Sequence, residues 1–133
     1  MLQAFAITPR SYDAQTNCAT FDVALSSGTP ATTHTLDTQA LLEQYPDLLR
    51  HRCDSGHHRS FATEMKQTET VHLLEHLAVE LLVQSGVSRD RAHGKTGIPK
   101  DGSPAYRLCL YGGSSLEEMD ALLRKAATIL QAL

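Results

Sequence analysis

The hydrophobic positions of this chain change period several times. Between Cys18 and Ser26, Phe21, Val23 and Leu25 alternate with polar neighbours, the two-residue period of a half-buried strand. Tyr106, Leu108 and Leu110 repeat it nearer the C-terminus. Leu2 to Thr8 is predicted as an opening strand, followed by a turn region over Pro9 to Asn17. The Thr-rich piece Ala31 to Leu36 is predicted to return as a third strand after Gly28-Thr29-Pro30. Asp37 is placed to cap a short helix through Tyr45, which Pro46 ends. A longer helical pattern begins between Ala62 and Thr70 and runs to Gln84, with Gly86 as its stop. Ser114 or Ser115 caps a last helix with Glu117 and Glu118 in its first turn. Pro46 to Phe61 reads as a polar loop, and Arg89 to Pro104, with four basic residues and three glycines, as an exposed one. This order predicts an α+β fold over residues 1–133: one domain, with a mostly antiparallel sheet and helices packed on one face.

Inside the long helix lies His72-Leu73-Leu74-Glu75-His76, an H-x-x-E-H signature. A helix advances about 100° and about 1.5 Å per residue, so His72 and His76 stand one turn apart on nearly one face and can reach the same ion. Glu75 falls roughly 60° to one side of His72, and Glu80 roughly 80° to the other. A zinc hydrolase needs neutral imidazole or carboxylate ligands and an unligated base for water. His72 and His76 fit as ligands and Glu75 as the catalytic base. Leu73, Leu74, Leu77, Ala78 and Leu81 make a broad apolar face, while Val79 and Val83 share the histidine stripe, which predicts a buried site. Buried imidazoles and carboxylates need partners, and a dication is a good one. The same spacing also occurs in helices that bind nothing.

A third ligand is not fixed by this helix. Glu80 is nearest, although its Cα lies about 12 Å from that of His72 along a straight helix. Cys53, Cys109, His51, His57, His58, Glu117 and Glu118 are the other candidates. Cys53 and His57 joined with His72 and His76 would make a closed structural site, leaving Glu75 without a task; a plain His-rich loop is the alternative.

Composition narrows the remaining classes. The chain has 133 residues, a net charge of -3, three Phe and four Tyr. It is long enough to bury about two thirds of its unfolded surface. With no basic block, stacking aromatic pair or phosphate-cradling glycine loop, nucleic acid is not an expected partner. No apolar run reaches bilayer length and no signal-peptide layout opens the chain, so membrane association is not expected either. Three cysteines, an odd number, fit reduced thiols and a cytoplasmic location.

The stretch Tyr45-Pro46-Asp47-Leu48-Leu49-Arg50-His51-Arg52-Cys53, then Gly56, Phe61, Thr68, the helix His72 to Leu81, Gly86, Gly97 and Tyr106-Arg107 resembles the N-terminal domain of cyanophycin synthetase. The likeness covers residues 45–133 and is most specific in the helix. The whole synthetase makes an aspartate-backbone polymer bearing arginine, using an ATP-grasp and a Mur-ligase-like domain that this chain lacks. The resemblance therefore implies a polymer-binding module, or a metallopeptidase that cuts the polymer, with His72 and His76 binding metal, Glu75 activating water, and Glu80 a ligand or a carboxylate behind one. It assigns no role to His51 and Cys53. Arg59-Ser60 before Phe61, Gln67 before Thr68, and Val71 before the first histidine depart from the family pattern, and lost glycines change the loop conformations available. Cys109 stands where an aliphatic residue is expected, either as a small core residue or as a thiolate ligand.

Two functions follow as expectations. One is a Zn2+-dependent hydrolase of peptide or isopeptide bonds, acting on a cyanophycin-like polymer whose cationic groups could meet Glu64, Glu69 or Glu80. The other is a non-catalytic module that binds polymer or a cyanophycin synthetase, with Arg91, Lys95 and Lys100 available to acidic partners. A shallow site also invites completion across a homodimer.

Overall fold

A computed structural model describes residues 4–52, 60–99 and 101–133. Strands β1 (Phe5–Asp13) and β2 (Cys18–Leu25) form a hairpin. Strands β3 (His93–Gly97) and β4 (Tyr106–Tyr111) complete one antiparallel sheet in the order β1-β2-β4-β3. The register sets Phe21 opposite Leu108 and Ala19 opposite Leu110. Because side chains alternate across a strand, Ala19, Phe21, Val23, Leu108 and Leu110 share one face, and all five are buried. Cys18, Thr20, Asp22, Arg107, Cys109 and Tyr111 take the other.

Beyond the hairpin a short helix, α1 (Thr38–Gln44), is capped by Asp37, and the apolar face is covered by helices α3 (Thr70–Gln84) and α4 (Leu116–Gln131). These touch each other; α3 also lies against β3 and β4, and α4 against β1. Helix α3 is buried almost all round, the pattern of a central core helix. Gly86 ends it at φ 115°, where a residue with Cβ would be strained. Ser115 caps α4 by accepting from the Glu118 amide at 3.1 Å. Among the described residues no helix is long and apolar enough to cross a membrane. The architecture is the α+β class expected.

Four local expectations are corrected. The first strand runs on to Asp13 rather than turning at Pro9. As β1 is an edge strand, the missing amide of Pro9 is tolerated, and the register shifts between Pro9 and Ser11.

Ala31 to Leu36 is not a strand of the sheet: it holds a 3-10 turn at Thr33–Thr35 and meets Glu69 through one bridge at Thr32. Buried Thr33 explains this. Its hydroxyl donates to the Met65 carbonyl at 2.8 Å and accepts from the Thr68 amide at 3.0 Å. The segment therefore holds the turn before α3 in place of a strand neighbour.

The loop expected over Arg89 to Pro104 contains β3. The loop expected over Pro46 to Phe61 opens with a 3-10 turn, Pro46–Arg50. Arg52 bridges to Ser60, after which a short helix, α2 (Phe61–Glu64), precedes the turn into α3.

Candidate metal centre

Helical spacing alone brings His72, Glu75 and His76 to one side of α3. One ligand-type atom from each lies within 4.8 Å of the others, the one such group among the described residues. The two Nε2 atoms are 3.1 Å apart, and Glu75 Oε2 is 3.5 Å from His76 Nε2. Two nitrogens bound tetrahedrally at 2.0–2.1 Å to one zinc ion are separated by about 3.3 Å. The donor set and its spacing fit a zinc-sized cation.

The trio forms part of the lining of a cleft of about 930 Å3 whose far wall is β3, including Gly94 and Thr96. Register explains that wall. Gly94 pairs with Leu110 and Thr96 with Leu108, so both positions face the helices. Thr96 Oγ1 donates to Glu75 Oε1 at 3.1 Å. A Cβ on Gly94 would stand 2.7 Å from Glu75 Cγ, closer than atoms pack, so the absent side chain makes room for the carboxylate.

Electrostatics follow burial. Glu75 is 4% exposed, and desolvation raises its pKa to about 7 against the opposing Thr96 bond. Desolvation, with His72 and His51 nearby, pushes His76 down to about 2. Burial likewise holds His72 and His51 below the ordinary imidazole range. Neutral imidazoles are the form that ligates metal. Phe61 stacks on His76 with centroids 3.7 Å apart and planes 9° apart, and Thr68 Oγ1 lies 2.9 Å from His72 Nδ1.

Glu80 lies outside the trio. Its carboxylate accepts from Arg89 at 3.0 and 3.2 Å and from His51 Nε2 at 2.9 Å. Burial pushes its pKa up, but the Arg89 and His51 bonds outweigh this and hold it below the usual carboxylate range. His51 in turn places Nδ1 2.9 Å from His76 Nδ1.

Residues 20–133 match the model of the cyanophycin synthase-like N-terminal domain. The chain belongs to that family. No curated protein and no solved structure matches it. The family match starts 25 residues before Tyr45, where the motif likeness begins, and so takes in most of β2 as well as the trio and every residue that braces it.

The remaining candidates are dispersed. Cys109 projects from the outer face of the sheet toward Thr20, its sulfur 3.7 Å from Thr20 Oγ1, while the trio lies on the helix side. Glu118 accepts from the Ser114 hydroxyl at 2.6 Å, and Glu117 lies beside it in the first turn of α4. Cys53, His57 and His58 fall outside the described residues. Sequence reasoning offered His51 only as one candidate third ligand, whereas it lies between His76 and Glu80, and it missed Thr96, Gly94 and Arg89. Two glycines in the short run His93 to Gly97 were the available signal for a close approach.

Proposed function

We propose that this domain is a zinc-dependent hydrolase of peptide or isopeptide bonds, with a cyanophycin-like aspartate-arginine polymer as substrate. The observation that carries the reading is a buried carboxylate beside two imidazole nitrogens 3.1 Å apart, in a cleft large enough for a polymer side group. His72 and His76 would hold the ion through Nε2. Zinc there would supply Lewis acidity toward the scissile carbonyl and toward water.

Glu75 takes the proton of the attacking water on its carboxylate. Water's oxygen bonds to the carbonyl carbon, the C–N bond breaks, and Glu75 returns a proton to the departing amine. Burial raises the pKa of this carboxylate to about 7 in the metal-free site, and a bound dication would draw it back toward the ionised form that accepts the water's proton. Thr96 holds Oε1, leaving Oε2 on the His76 side. Glu80 belongs to the site through His51.

Family membership favours a second reading, since the family description is that of one domain of a polymer-making synthase: a non-catalytic module that binds polymer or a synthetase. Metal analysis with a cleavage assay on arginine-aspartate polymer separates the two. The hydrolase reading expects about one equivalent of zinc, lost in His72→Ala and His76→Ala. It also expects Glu75→Gln to retain zinc and fold while losing at least about 100-fold in turnover. Folded wild-type protein that takes up no zinc would leave the binding module.

A further inference from the structure

We infer that His51 and Glu80 are positioning residues that fix the tautomer of His76 and turn its Nε2 into the trio as a lone-pair donor; the inference builds on the metal reading of that trio. An ionised carboxylate only accepts hydrogen bonds. The 2.9 Å contact from His51 Nε2 to Glu80 Oε1 therefore puts the His51 hydrogen on Nε2. The 2.9 Å contact between the Nδ1 atoms of His51 and His76 needs one donor and one acceptor. A neutral His51 already protonated at Nε2 can only accept there, so His76 donates from Nδ1. The lone pair of a neutral His76 then lies on Nε2, the atom 3.1 Å from His72 Nε2.

The opposite His76 tautomer would set two nitrogen lone pairs against each other in the buried Nδ1 contact with His51, a desolvated clash that the Nδ1–H form avoids. Phe61, parallel to the His76 ring at 3.7 Å, opposes rotation out of this plane. Arg89, with two hydrogen bonds to Glu80, anchors the far end of the chain in the turn after α3. Glu80 thus serves the metal at one remove: carboxylate, imidazole, ligand. Partners of this kind raise the basicity of a ligating histidine and set its orientation.

The experiment reads ring tautomers directly. Long-range proton–nitrogen NMR spectra of metal-free wild-type protein should assign His76 as Nδ1–H, the less common form of a free imidazole in water, and His51 as Nε2–H. Zinc affinity is then measured by competition with a chelator. His51→Phe should weaken it by about 10- to 100-fold, and His51→Gln, whose amide oxygen can accept from His76 Nδ1, should restore most of the loss. His76 found as Nε2–H, or wild-type affinity in folded His51→Phe, overturns the inference. Wild-type protein that takes up no zinc ends the hydrolase reading but leaves the tautomer measurement to decide this one. If His51→Phe does not fold, the wild-type spectra still decide it.

Discussion

Single atoms decide how close chemistry can come at this site, and Gly94 is the clearest case. Its missing Cβ makes room for a buried carboxylate whose own carbon would otherwise be 2.7 Å away. Gly94→Ala should therefore force Glu75 or β3 to move, costing about 1–3 kcal/mol as an overpacked site and reducing hydrolysis further than stability explains. Gly97, three residues on in the same strand, has nothing within 4 Å of an added Cβ. Gly97→Ala should stay within about 0.5 kcal/mol of wild type. Thermal unfolding and turnover of the pair check this, and equal behaviour of the two variants would remove Gly94 from the account. The trio itself was readable from sequence because a helix fixes the angle between positions i, i+3 and i+4. His51 was not. It approaches His76 from 25 positions away, and no periodicity within one element constrains such a meeting.

Elements were legible where burial wrote a period into them. β2, β4 and α3 carry that period, and the structure has them where it falls. β3 has no apolar residue at all in His93–Gly97; it is a strand because β4 offers it an edge and the helix side needs a thin wall. Thr-rich Ala31 to Leu36 misled in the opposite sense. Threonine favours strands when its methyl packs on a half-buried surface, but Thr33 spends its hydroxyl on the turn before α3. That turn also delivers Thr68 to His72. Thr33→Val keeps the shape and removes the hydroxyl, leaving the Met65 carbonyl and the Thr68 amide each without that partner. It should cost about 1–3 kcal/mol and, by loosening Thr68, weaken zinc binding. Denaturant unfolding and chelator competition test the two halves separately; unchanged zinc affinity in a destabilised variant would confine Thr33 to folding.

At the scale of the whole molecule, the question is whether metal and fold stand or fall together. The buried core runs without a break from Phe5 through the sheet to Leu130, and both long helices are held by it independently of any ion. Metal that binds only the folded state adds stability by mass action, about 4 kcal/mol at a thousand times its dissociation constant. A domain whose core is already complete should lose only that increment when the metal is withdrawn. A chelator added to zinc-loaded protein should lower the midpoint of thermal unfolding by several degrees, about 2–6 °C per kcal/mol at this chain length, and leave a cooperative transition and folded spectra behind. Zinc returned in excess should restore the midpoint. Outright unfolding by chelator would instead mark a site that closes the fold, which turns attention to Cys53 and away from Glu75 as a base. A midpoint indifferent to both chelator and zinc would mean that the imidazole pair, for all its spacing, serves only the helix that carries it.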